Sequence, residues 1–143
     1  FDLYGQFDVT RWLSLAAEGN GGWEATNFGN HIFAGMAGYA RAKLADPFYI
    51  ALRADRLWEL PAVEGAQESE TFLIPVKHVT SLTGTVDVRP IQGLSLRLEY
   101  RHDRASGDLF FAGDVTGDGS QAAPYIPNTR FQNSLLAGAV AWF

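Results

Sequence analysis

The sequence predicts an all-β chain, an antiparallel up-and-down transmembrane β-barrel with about seven strands present. Three observations carry that expectation. Polar and apolar residues alternate with period two in seven segments. The connections between those segments alternate strictly between short and long. Aromatic residues cluster near the segment ends, in two rows. No segment offers a helical stripe, and the longest apolar runs are a few residues, too short for a transmembrane helix.

The segments justify themselves in order. Phe1, Leu3, Gly5, Phe7 and Val9 alternate with Asp2, Tyr4, Gln6, Asp8 and Thr10. Leu13, Leu15 and Ala17 alternate with Ser14, Ala16 and Glu18. From Ile32 to Ala42 the even positions are small or apolar, while His31, Tyr39, Arg41 and Lys43 stand at odd ones. Phe48, Ile50, Leu52 and Ala54 interleave with Tyr49, Ala51, Arg53 and Asp55. Leu82, Gly84, Val86 and Val88 interleave with Ser81, Thr83, Thr85 and Asp87. Leu94, Leu96, Leu98 and Tyr100 do so with Ser95, Arg97, Glu99 and Arg101, and Phe131–Phe143 closes the series. Strict alternation of this kind fits strands with one apolar and one polar face.

Short connections follow the first, third and fifth strands: Thr10-Arg11, Ala45-Asp46-Pro47 and Arg89–Gly93. Long ones, about 19–30, 57–77 and 103–130, follow the second, fourth and sixth. A membrane barrel has tight turns on one side and long loops on the other. A soluble lipocalin-like barrel has no need of that bias. Counting Glu18 at the boundary, the long loops hold ten of the sixteen acids and only Lys77, Arg104 and Arg130 as bases. The apolar faces are modest in bulk (Ala34, Gly38, Ala40, Ala137, Ala139, Ala141), which suits lipid better than a packed soluble core. Trp12, Phe48, Trp142 and Phe143 form the aromatic row at the short-turn side. Trp23, Trp58, Tyr100 and Phe131 form the other. One hairpin is echoed: "FDVTRWLSLAAE" at 7–18 resembles "VDVRPIQGLSLRLE" at 86–99.

The chain length of 143 residues fits one domain, 1–143, or part of a larger one. Single-chain bacterial barrels have even strand numbers from 8 upward, so seven strands beginning abruptly at Phe1 predict the closing part of a larger barrel, or several chains sharing one. A net charge of −5 argues against nucleic acid as a partner. Cysteine is absent, and no phosphate loop, zinc cluster or redox motif is present.

The polar face supplies the candidate pore-lining residues Arg41, Lys43, Arg53, Asp55, Asp87, Arg97, Glu99 and Arg101, joined by Asp2, Gln6, Asp8 and Thr83. Such a row either sets the field that solutes cross or forms a cross-strand ladder that holds the sheet. "GDVTGDG" at 113–119 brings Asp114 and Asp118 into a glycine-rich loop, where carboxylates hold calcium in some proteins. The twelve-residue loop pattern is absent, so a solvated acidic turn with no cofactor is expected. His102-Asp103 is the nearest approach to a catalytic pair, but neighbours in a strand point to opposite faces, and no enzyme is expected.

The final strand resembles the C-terminal signal read by the outer-membrane assembly machinery. Phe143, Ala141 and Gly138 stand at its terminal, third-last and sixth-last positions. The chain as a whole resembles the C-terminal part of the OmpL-like β-barrel porin family. "FDLYGQFDVTRWLSL" at 1–15, "LRLEYRHDRASGDLFF" at 96–111 and "PYIPNTRFQNSLLAGAVAWF" at 124–143 carry the likeness. Its most specific pieces are Glu99–Asp103 and Pro127-Asn128-Thr129. The resemblance implies a Gram-negative outer-membrane location and a channel for passive diffusion of small hydrophilic solutes. The alternative is a plugged structural or adhesion-type barrel whose acidic loops bind a surface partner. The implied partners are outer-membrane lipid and lipopolysaccharide, the barrel assembly machinery, and the missing N-terminal strands or further copies of the chain.

Overall fold

The computed structural model describes residues 1–26, 29–60 and 74–143. Among them are seven strands and no helix: β1 (Asp2–Asp8), β2 (Leu13–Thr26), β3 (Gly29–Ala45), β4 (Phe48–Leu60), β5 (His78–Val88), β6 (Leu94–Ala105) and β7 (Phe131–Ala141). Each pairs antiparallel with the next, in the order β1-β2-β3-β4-β5-β6-β7. β1 and β7 each have one neighbour, so the sheet is not closed; it forms an arc, consistent with a partial barrel.

The burial pattern inverts that of a soluble domain. Among the described residues the buried apolar set is Val76 and Ala105, whereas eight polar or charged residues are buried. Large apolar side chains such as Leu52, Leu82, Leu98 and Leu135 lie exposed. Period two explains the division, because alternate residues project to opposite faces. The polar face is concave: residues from β1 through β6, Tyr4 and Arg101 among them, line one cavity of about 430 Å³.

The three short turns lie where the pattern predicts them, and a cis Asp46-Pro47 bond occupies the second. The long-loop expectation needs correction. Segment 19–30 is not a loop: β2 continues to Thr26 and β3 starts at Gly29. Residues 57–60 belong to β4 and 103–105 to β6. The remainder of 57–77 lies partly outside the described residues. Glu18, Glu24, Glu59 and Asp103, counted with the loops, are therefore strand residues. The misleading signal was Gly19-Asn20-Gly21-Gly22, which reads as a turn. Here a glycine serves close approach instead: a Cβ at Gly22 would sit 2.8 Å from the Phe33 ring of the paired residue. β3 spans 17 residues, well beyond the roughly 9–11 tilted residues that cross a bilayer.

The loop after β6 is a folded arm. Phe110 bridges to Thr129 and Thr116 to Ile126. Asn128 ties it together: its amide donates to the Ala112 and Asp114 carbonyls, and its Oδ1 accepts from the Ala112 N–H. This gives a structural role to the Pro127-Asn128-Thr129 step.

The β5–β6 turn is fastened to the last strand. The Trp142 N–H donates to the Gly93 carbonyl at 2.9 Å. Gly93 has φ +87°, and a Cβ there would lie 2.5 Å from the Trp142 carbonyl oxygen. Gly93→Ala is expected to destabilise the sheet by about 1–3 kcal/mol through backbone strain. Gly38→Ala, where a Cβ meets nothing within 4 Å, is the control. Denaturant midpoints of the folded protein in detergent compare the two.

Candidate functional site

Pairing register assembles the concave face into rows. One row runs Tyr39, Arg53, Thr83, Arg101 and Ser134 across β3 to β7. The next, toward the long-loop end, runs Ala37, Asp55, Ser81, Asp103 and Gln132. On the other side come Arg41, Ala51, Thr85 and Glu99, then Lys43, Tyr49, Asp87 and Arg97. All eight predicted pore-lining residues thus share one face. Asp2, Gln6, Asp8 and Thr83 join them there.

Each arginine of the first row is aimed by a carboxylate two residues along its own strand. Arg53 Nε lies 2.8 Å from Asp55 Oδ1, and Arg101 Nε lies 2.8 Å from Asp103 Oδ1. Residues i and i+2 of a strand face the same way, so Arg-x-Asp is a strand-borne ion pair. Ser81 completes one of them, donating to Asp103 and accepting from an Arg101 terminal nitrogen at 2.9 Å. Arg53 also lies over the Tyr39 ring at 5.3 Å, and Tyr39 donates to Glu18 at 3.0 Å. The repeated Arg-x-Asp spacing (53–55 and 101–103) is the sequence signal for these pairs.

Between the two arginines stands Thr83, 5% exposed, with its hydroxyl unpartnered. It lines the 430 Å³ cavity together with Arg41, Arg53, Arg101, Thr85 and Glu99. Thr85 donates to Glu99 at 3.1 Å. Arg41, Arg53 and Arg101 share that wall with Glu99, and Asp55 and Asp103 pair with Arg53 and Arg101 from the next row, so the wall carries mixed charge.

Toward the short turns, Arg41 and Arg89 each stack on Tyr49 at 4.8 Å. Asp87 accepts from Arg89 at 3.1 Å and lies 3.9 Å from Arg97; Lys43 pairs with Asp46 at 2.7 Å. The echoed hairpins share a device. Ser14 donates to Asp8, and Ser95 donates to Asp87 at 2.6 Å. The Asp … Leu-Ser-Leu echo is thus a repeated clasp across the turn. At the opposite end His31 Nε2 meets Glu59 Oε1 at 2.9 Å, with both side chains nearly inaccessible. Glu59 Oε2 also accepts the Ile74 N–H at 2.8 Å.

His102 and Asp103 diverge. His102 faces outward and shares Asn133 Oδ1 with the Tyr100 hydroxyl, each at 2.8 Å, while Asp103 turns inward. Among the described residues no group of three or more His, Cys, Asp or Glu is placed to hold a metal. Asp118 Oδ1 accepts from the Ser120 amide at 2.9 Å. Hydrogen bonds from Ser120, its side chain first and its backbone second, hold the Asp118 carboxyl below the usual carboxylate range. Gly138 lies on the concave face opposite Arg97, Ala141 pairs with Leu94, and Phe143 is fully exposed.

A family model described as "Putative beta-barrel porin-2, OmpL-like" matches residues 1–140. No curated protein and no solved structure matches the chain.

The Asp103 cluster yields a stability prediction. Asp103→Ala leaves Ser81 and Arg101 without their acceptor and should cost about 1–3 kcal/mol. Asp103→Asn retains an oxygen for Ser81 and should cost less. Unfolding in detergent, followed by circular dichroism, compares them; equal losses would remove the hydrogen bond as the cause.

Proposed function

The chain belongs to the OmpL-like β-barrel porin family, and from that premise we propose that it forms the wall of an outer-membrane channel for passive diffusion of small hydrophilic solutes. The observation that carries the reading is the inverted polarity of the sheet. Its convex face is apolar and exposed, and its concave face holds the buried polar groups. Lipid on the convex side and water on the concave side satisfy both faces at once.

Within such a channel the concave rows set the field. Arg53 and Arg101 flank an unpartnered Thr83 hydroxyl, and their carboxylate partners stand one row toward the long-loop end. A solute passing that level meets fixed hydrogen-bond donors. The ion pairs hold the arginines extended along the wall. The same row therefore stiffens the sheet and tunes passage, so the two readings of it are compatible.

Conductance of the whole protein that carries this chain, in a planar bilayer, tests the proposal. A stable open conductance is expected. A folded but silent barrel would overturn it and favour a plugged barrel. Arg97→Ala or Arg101→Ala should move selectivity toward cations. A unit charge about 10 Å from a permeating ion in water is worth about 0.4 kcal/mol, or about a twofold change in permeability ratio. Reversal potentials across a salt gradient read it. An unchanged ratio in both variants would remove these residues from the pore wall.

A further inference from the structure

Among the described residues, no strand carboxylate projects from the convex face. Every acid borne by a strand, from Asp2 and Glu18 to Glu99 and Asp103, projects to the concave face. The charged residues of the convex face are two arginines, Arg56 on β4 and Arg104 on β6. They occupy one row, with Thr80 of β5 between them. Neither has a carboxylate partner among the described residues. Arg56 stacks over Trp58 at 5.1 Å, and its Nε is unpartnered.

The neighbourhood extends the same character. His78 and His102 flank the row, and Arg130 enters from the end of the loop arm; together these side chains line a convex-side depression of about 660 Å³. A second depression of about 450 Å³ shares His102, Arg104 and Arg130 with the first. One acid lines this second depression: Asp108 lies 3.4 Å from Arg130, and both are largely exposed. Toward the short turns the next row holds Leu82 with His102 and Asn133, and beyond it the convex face becomes largely apolar, through Leu52, Leu98 and Leu135. In a chain of net charge −5, a predominantly basic depression beside an apolar band has a specific complement. That complement carries phosphate at headgroup level and acyl chains below.

We infer that Arg56, Thr80 and Arg104, with Arg130, bind the phosphates of a multiply phosphorylated glycolipid headgroup on the outside of the barrel. Arg56 and Arg104 stand two strands apart, with backbones roughly 10 Å from each other, a base wide enough to engage two phosphates rather than one. Guanidinium is the group best matched to phosphate oxygens through paired donors. The inference rests on the membrane orientation taken in the proposed function and does not require an open pore.

The test uses the whole protein in nonionic detergent micelles, titrated with diphosphoryl lipid A and read by native mass spectrometry. Diphosphoryl lipid A should bind more tightly than the monophosphoryl form or phosphatidylglycerol. The double variant Arg56→Gln/Arg104→Gln should weaken its binding by about 30-fold, about fivefold for each guanidinium near a membrane surface. Arg11→Gln, at the opposite end of the sheet, should leave it unchanged. Unaltered binding in the double variant, or equal binding of phosphatidylglycerol, overturns the inference. Should the double variant fail to fold, the unmodified protein still decides: binding must weaken as ionic strength rises, and salt-independent binding overturns it. Conductance of the same preparation is scored separately, so a silent bilayer counts against the channel alone.

Discussion

Backbone pairing is the constraint on which the rest of this structure depends. Six consecutive antiparallel ladders join seven strands without a crossover. In hydrocarbon an unpaired N–H or C=O costs several kcal/mol, so a strand survives there only beside another strand. Once each strand is paired along its length, period two is no longer a preference. Every residue is assigned a face, and a slip by one residue would turn Arg53, Arg101 and Asp103 toward lipid. The side-chain chemistry of both faces follows from that single assignment.

Register also decides which charges meet. Asp55, Ser81 and Asp103 share one row because β4, β5 and β6 are aligned there. The same alignment places Thr83 between Arg53 and Arg101. At the turn ends, Ser14 with Asp8 and Ser95 with Asp87 clasp the two echoed hairpins. These contacts are local in sequence and cross-strand in space, so they oppose slippage where a meander is most exposed to it. The wall of the cavity is thus made from the groups that hold the register.

Seven strands, the three short turns and the polar face were legible because each rests on alternation, which one strand displays by itself. The loop-side ends were not. Gly19-Asn20-Gly21-Gly22 has turn composition, and only the partner strand reveals that Phe33 lies against Gly22 and that Asn20 reaches toward Gly35. Glu59 and His31 looked like loop-end residues, yet each is buried against the other. Tyr100 read as part of the loop-side aromatic row; it stands level with Leu135, lower in the sheet, and its hydroxyl reaches up to Asn133. The eight candidate pore-wall residues were legible as a face, but their rows were not, since a row is a property of register. Thr83 had no sequence signal beyond its parity.

The two outward arginines show why parity alone understates what a strand can carry. Arg56 and Arg104 occupy convex positions where alternation calls for apolar residues. A carboxylate there would be desolvated and, on the lipid binding inferred above, repelled by phosphate. An arginine differs, because its aliphatic stem lies along apolar neighbours while the guanidinium rises to the headgroup level. Trp58, one convex position toward the long-loop end, offers its ring to the Arg56 guanidinium. The sorting of charge between faces is therefore also a sorting by sign. Concave positions accept acids and bases because water and ion pairs solvate both. Convex positions accept, near the edge of the apolar band, only the charge that the membrane surface itself can neutralise.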